Sequence, residues 1–286
     1  MATAAPARQL RCLNLGCGRR VHPGWQNVDV VASSPLVRPH NLLEGIPYPD
    51  SSFDVVYHSH LLEHFPRKDA PRFLKECHRV LSPGGILRVV VPDLESIVRN
   101  YLRALDRAKR GKAGWSANYD WMVLELYDQA VRGESGGGWG AYLCQDPIPN
   151  WEFIQERTGG EAREMLAVVR SQTSSGLRKP SLPAKVHFAF KHFPQVLRSK
   201  WTHALLGKAD YDALQLGRFR RAGEIHQWMY DSYSLSRLLR DTGFQELRKL
   251  SARQSAIPNW PSYCLDTEPD GSTFKPDSLF MEARKP

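Results

Sequence analysis

The stretch Leu13-Asn14-Leu15-Gly16-Cys17-Gly18 decides the reading of this 286-residue chain. Leu10 to Leu15 reads as a short buried strand, and it runs straight into two glycines. Glycine lacks a Cβ and tolerates positive φ, so a strand ending this way can turn sharply and let its backbone approach a ligand. This is the pattern of a cofactor loop in a doubly wound α/β domain, where ligands sit at the carboxyl ends of the strands. Plain turns share the pattern, so the neighbouring stretches have to carry the rest.

Asn27 to Val31 reads as a second strand with Asp29 at its end. A carboxylate there can accept hydrogen bonds from both hydroxyls of a ribose; the alternative is a turn or helix-capping Asp. A nicotinamide fingerprint requires a third glycine and an acid about 20 residues on. Here the third glycine is missing, and Pro23-Gly24 prevents a full helix between the strands, which argues against a dehydrogenase. His40 to Pro49 follows as a loop after a short strand, then Asp50-Ser51-Ser52 as a turn. Phe53 to Tyr57 reads as a strand that ends in His58-Ser59-His60. Pro71 to Leu81 has the spacing of an amphipathic helix, with Phe73, Leu74, Cys77 and Val80 on one face. Ser82 to Gly85 stops it, and Ile86 to Val91 reads as an apolar strand of the kind buried in a parallel sheet.

Leu13 to Gly18, Asn27 to Val30, Gly45 to His64 and Val80 to Asp93 stand in an order and at a spacing that resemble the class I S-adenosylmethionine-dependent methyltransferases, in particular the UbiE-like (type 11) group. The resemblance covers about the first third of the chain. It implies an α/β, Rossmann-like fold: a seven-stranded mixed sheet whose last strand is antiparallel. It implies S-adenosyl-L-methionine as cofactor, with Gly16, Cys17 and Gly18 on its methionine part and Asp29 on its ribose. Asn41, Leu42 and Leu43 would border the adenine, and His58 would line the methionine side near the reactive methyl. Asn14 stands where the family usually has an acid, and Arg20 where it often has a third glycine. Asn14 is retained among the cofactor-binding candidates.

The domain plan that follows is an arm over 1–8, a first part of the cofactor domain over 9–98, a helical insertion over 99–223 acting as a lid, and a return to the sheet over 224–286. Within the insertion, 100–110, 119–132, 151–171 and 185–206 read as helices, with glycine-rich breaks at 133–140 and 174–176 and an interruption at Pro194. Its tryptophans, Trp115, Trp121, Trp139, Trp151 and Trp201, are expected in the core, given the area each buries. The aromatic and basic run Phe188 to Trp201 reads as a lid helix in preference to a membrane-surface helix. In the return, Asp231 or Ser232 caps a helix over 233–240, Gly243 ends it, Gln245 to Ser251 and Ser278 to Ala283 are strands, and the long loop between them is expected to help form the site.

A net charge of +9 favours an anionic partner. Five cysteines without a CxxC pair point to a reducing compartment. With no apolar leader at the N-terminus and no run of ~18 apolar residues, a cytoplasmic protein without stable membrane anchoring is expected. Methyl transfer to a hydroxyl needs the acceptor held in line with the methyl and a base to take its proton. Histidine suits that base near neutral pH; the candidates are His58, His60, His64 and His226, and the base is expected among His60, His64 and His226. Arg218, Arg220 and Arg221 form a basic cluster; Arg218, Arg221, Trp228 and Tyr230 are the substrate-binding candidates. The cluster of His58, His60, Glu63 and His64 also has metal-ligand character, but the resemblance explains it without a metal, and none is expected. The function read from the sequence is therefore methyl transfer to a small polar acceptor, a hydroxyl of an anionic metabolite, natural product or glycan precursor. The alternatives are an RNA methyltransferase, against which no RNA-binding module or long basic stripe is found, and a non-catalytic cofactor-fold binding protein.

Overall fold

The computed structural model describes residues 9–175 and 182–286, with side chains described outside 172–200. The arm expected over 1–8 and the run Phe188 to Trp201, except Trp201 itself, lie outside the described side chains.

Seven strands form one sheet: β1 (Cys12–Leu15), β2 (Gln26–Asp29), β3 (Val37–Pro39), β4 (Phe53–Ser59), β5 (Leu81–Pro92), β6 (Gln245–Leu250) and β7 (Ser278–Arg284). Their order is β3-β2-β1-β4-β5-β7-β6. Every pairing among the first five is parallel, and β7 lies antiparallel to both β5 and β6. The expected seven-stranded mixed sheet is therefore present, with the last strand reversed. Residues 16–25 form turns and no helix, as the short Pro-Gly crossover requires.

The two faces of the sheet are covered differently. On one face α1 (Ala70–Val80) and α8 (Ser232–Asp241) pack against Leu13, Leu15, Val56, Leu87, Val89 and Leu279. The apolar residues of α1 recur at helical spacing, and Phe73, Leu74, Cys77 and Val80 are all buried. Asp231 caps α8 through a reciprocal capping box with Ser234, and Gly243 follows its end at φ 101°. The opposite face carries no helix between β1 and β2, and the segment 251–277 covers it instead. Trp25, Ala252, Ile257, Trp260 and Leu265 pack there on Cys12, Val55, Tyr57, Ile86 and Val90.

The expectation of an apolar β5 fails at Arg88, which is fully buried on that second face. Side chains alternate along strands, so the register sets Tyr57, Arg88 and Glu282 side by side across β4, β5 and β7. The Arg88 guanidinium donates to Asp266 Oδ2 (2.7 Å), Glu282 Oε1 (2.8 Å) and the carbonyls of Gln254 and Ser251 (3.0 Å each). It lies 4.6 Å from the Trp260 ring centroid, and Tyr57 donates to Asp266 Oδ1. One arginine thus ties the 251–277 segment to the sheet.

The insertion forms a core of its own from α2 (Leu94–Lys109), α3 (Trp115–Val131), α4 (Gly137–Leu143), α5 (Trp151–Thr158) and α6 (Gly160–Ser175). Trp121 and Trp139 are at its centre, while Trp201 is 63% exposed, so the expectation of a core role fails for Trp201. The expected glycine-rich break over 133–140 is instead half helix. The Asp128 carboxylate accepts from the Gly138 and Trp139 N–H groups at the start of α4, and Trp139 is buried. The helix expected over 151–171 is split at Gly159 (φ 58°), where a Cβ would stand 2.6 Å from the Phe274 carbonyl oxygen. α7 (Leu182–Arg221) leaves helical geometry at Gly207 (φ 74°, ψ 171°) rather than at Pro194.

Candidate cofactor and acceptor site

The strand ends carry the site. Gly16 and Gly18 adopt φ of 60° and 53°, which L side chains rarely take. The Gly16 and Cys17 N–H groups donate to Val28 O, and the Gly18 N–H donates to Asp29 Oδ2 at 2.9 Å. The other Asp29 oxygen accepts from the Val31 N–H. Asp29 therefore joins the glycine loop to the end of β2. A Cβ at Gly18 would meet nothing within 4 Å, so the loop faces open space there, whereas one at Gly16 would lie 2.7 Å from Leu61 Cδ1. Cys17 is buried beside Asp29; burial, then the Asp29 charge, pushes its thiol up to about 11, so it packs as a neutral group.

A cavity of about 260 Å³ opens on this loop. Its walls come from three parts of the chain: the glycine loop with Arg19 and Arg20, the β4 end with Tyr57, Ser59 and His60, and distant residues Glu161, Glu164, Phe274 and Lys275. The split at Gly159 explains how α6 reaches it, because the Gly160 N–H donates to the Phe274 carbonyl and Lys275 Nζ pairs with Glu161 Oε1 at 2.8 Å. Arg20 lies 3.4 Å from the Phe274 centroid and pairs with Glu268 at 2.9 Å. Arg19 is exposed and forms no ion pair among the described residues.

Several expected site residues stand elsewhere. His58 is fully buried on the helical face against Phe73, with ring centroids 5.2 Å apart. The alternation of β4 turns Tyr57 and Ser59 to the cavity in its place. Asn14, by contrast, does line the first cavity; both its amide protons are spent, one on the Arg20 carbonyl and one on Asn27 Oδ1, so it also pins the crossover behind the loop. Asn41 accepts from the Leu43 N–H to cap a short 3-10 turn. Leu42 and Leu43 border a second cavity of about 260 Å³, shared with Phe65, Arg72, Phe73 and Glu76. Arg218 and Arg221 are exposed and line neither cavity. Tyr230 is buried in the core, and Trp228 lies under Arg67, 4.5 Å from centroid to guanidinium.

The three histidines do come together, around Glu63, which the sequence reading weighed only as part of a metal-ligand cluster. His60 takes φ 49°, sparsely populated for a non-glycine residue, and its ring reaches the cavity wall. Its Nε2 is 2.8 Å from Ser278 Oγ and its Nδ1 is 3.4 Å from Glu63 Oε1. His64 and His226 stand behind it, their rings T-shaped at 4.9 Å. Burial is the leading cause that pushes all three below the usual histidine range, so they are held neutral. Burial pushes the fully enclosed Glu63 carboxyl up to about 8.

The family model described as "Methyltransferase domain" matches residues 29–89. That segment contains β4 and the helix and strand after it, in the sheet order given above. Residues 29–89 thus carry a methyltransferase domain. The cofactor of such a domain is S-adenosyl-L-methionine, and the residues here fit it: an open glycine loop, and a carboxylate at the β2 end whose oxygens keep acceptor capacity. A curated relative named "Probable methyltransferase ltbC", from Aspergillus luteorubrus, is 52% identical over 48 residues, 16% of this chain and 17% of that protein. Another, named as a probable S-adenosylmethionine-dependent methyltransferase from Mycolicibacterium smegmatis, is 44% identical over 54 residues, 19% of this chain and 20% of that one. The match thus spans a fifth or less of the curated relatives' length. A solved S-adenosylmethionine dependent methyltransferase from Mesorhizobium loti is 25% identical with a TM-score of 0.26, covering 31% of this chain and 49% of that chain.

Sequence reasoning missed Glu161, Glu164, Phe274 and Lys275 of the first cavity. The signals were the length of the loop between β6 and β7, for Phe274 and Lys275, and the reading of the insertion as a lid, for Glu161 and Glu164. Arg88 was legible as a lone charge inside an apolar strand, and it went unread.

Proposed function

We propose that this protein transfers a methyl group from S-adenosyl-L-methionine to a hydroxyl of a small anionic acceptor. The observation that carries the proposal is one cavity lined both by the glycine loop and by His60. Bound on the loop, the cofactor supplies an electrophilic methyl on a sulfonium. Gly16 to Gly18 and Asp29 hold it, and His60 is the base that takes the hydroxyl proton on Nε2, now beside Ser278 Oγ. Arg19, an exposed cation on the cavity with no ion-pair partner among the described residues, supports an anionic acceptor, in place of Arg218 and Arg221. The insertion acts as the lid through α6, whose Glu161 and Glu164 wall the cavity. Five free cysteines support a reducing compartment, the cytoplasm. Among the described residues no helix is long and apolar enough to cross a membrane.

Calorimetric titration of S-adenosyl-L-methionine tests the cofactor part. Wild type is expected to bind it, and Asp29→Ala to weaken binding more than tenfold, about 1.4 kcal/mol. Equal affinity in the two proteins would take the ribose role from Asp29. A screen of anionic hydroxylated acceptors with wild type then tests the reaction. A His60→Gln protein that turns over the acceptor as fast as wild type would remove the base assignment.

A further inference from the structure

We propose that Glu63, His64 and His226 form a binding site for a divalent transition metal of the zinc class. The site lies where the turn after β4 meets the end of the insertion. One donor atom from each residue lies within 4.8 Å of the others. Two imidazoles and a carboxylate are a donor set that suits zinc and its neighbours, with a further position left open.

Three observations on the molecule support it beyond the clustering. First, Glu63 is 0% exposed, and neither carboxylate oxygen has a hydrogen-bond partner. With no cation facing it the group is held as the neutral acid, and even so two buried oxygens without a partner are costly. The nearby cation, Lys275, is committed to Glu161 at 2.8 Å, and the His60 Nδ1 contact is long at 3.4 Å. Second, His64 Nδ1 lies 3.1 Å from the Ile225 carbonyl. An N–H donated there fixes the tautomer and leaves the Nε2 lone pair free to ligate, the outer-shell arrangement that metal-bound histidines use. Third, the backbone around the donors is tied down. The Glu63 carbonyl accepts from the Gln227 and Trp228 N–H groups, and the His226 N–H donates to the Gln129 carbonyl. His226 Nε2 is 4.0 Å from Glu63 Oε1. Bonds near ~2.1 Å set tetrahedral donors ~3.4 Å apart, so side-chain rotation of roughly 1 Å closes the set. The ligand group differs from the one suggested by sequence spacing, since His58 lies in the core and His60 faces the cavity.

The site rests on side-chain geometry and stands whether or not methyl transfer occurs. The test is made without S-adenosyl-L-methionine on the full chain, stripped with chelator and dialysed. Zn²⁺ alone is expected to bind at one ion per chain in calorimetry and to raise the melting temperature. Co²⁺ is expected to give the intense visible absorption of a four-coordinate site. Glu63→Gln, which keeps shape and burial, is expected to lose at least tenfold in Zn²⁺ affinity, and His226→Ala to lose the Co²⁺ spectrum. Absence of Zn²⁺ binding, a spectrum no different from free aqueous Co²⁺, or wild-type Zn²⁺ affinity in Glu63→Gln overturns the proposal. Each of these outcomes leaves the cofactor titration untouched, so the two readings fail separately.

Discussion

Arg88→Met is expected to destabilise the protein by about 3–5 kcal/mol, the usual cost of removing one partner from a buried ion network. Arg88 is fully buried and neutralises Asp266 and Glu282, themselves nearly fully buried. Methionine fills similar volume but leaves two enclosed carboxylates facing each other, with the carbonyls of Ser251 and Gln254 also orphaned. The consequence reaches the site. Asp266 and Leu265 anchor the segment that carries Phe274 and Lys275 into the cavity, so S-adenosyl-L-methionine affinity is expected to fall together with stability. Chemical denaturation of wild type and variant measures the first effect. Replacing all three charges (Arg88→Met, Asp266→Leu, Glu282→Leu) is expected to recover much of the loss, because no uncompensated charge then remains. A change below about 1 kcal/mol in Arg88→Met would mean the segment is held by its aromatic packing alone.

The second large effect is acid sensitivity from His58. Burial alone holds its imidazole down to about 3, from an ordinary value near 6.5, and neither ring nitrogen has a partner. Unfolded chains take up a proton at this residue below pH 6.5, while the folded protein stays neutral until pH falls to about 3. The unfolded state therefore binds more protons in that window, and stability falls with pH at about 1.4 kcal/mol per unit from this residue. Above pH 6.5 the contribution vanishes, since both states are neutral there. His58→Leu removes the proton-binding group and two unsatisfied buried nitrogens. The expected outcome is a stability close to wild type at pH 7.5 and a gap in favour of the variant that widens steadily as pH is lowered. Unfolding free energies at several pH values give the difference curve, which cancels the other titrating groups. A curve flat from neutral to acid pH would show that His58 is solvated in the folded protein.

The misplacement of His58 shows where a sequence reading of the site runs out. It sits one residue before Ser59 on β4, and the period-two alternation of a strand sends neighbours to opposite faces. The motif fixed the strand, but which of Tyr57, His58 and Ser59 meets the ligand depends on which face carries the cavity. In many α/β domains a helix between the first two strands would decide that. Here turns replace it, and the 251–277 segment takes over the face. Arg218 and Arg221 line neither cavity for a similar reason. A basic cluster has the right chemistry, but only the path of α7 tells whether it reaches the cavity.

The sequence by itself determined the glycine loop, the acid at the end of β2 and the helical periods of α1 and α8, while the seven-stranded sheet was implied by the resemblance. These are local: φ preference, apolar spacing and capping act within a few residues of chain. Only the tertiary structure decided that Arg88 and Asp266, 178 positions apart, share a buried ion pair. It alone decided that α6 and Lys275 close the cavity, and that Glu63, His64 and His226 converge. Those contacts join segments with no common sequence period, and their energy comes from desolvating charge among distant partners, which no local pattern encodes.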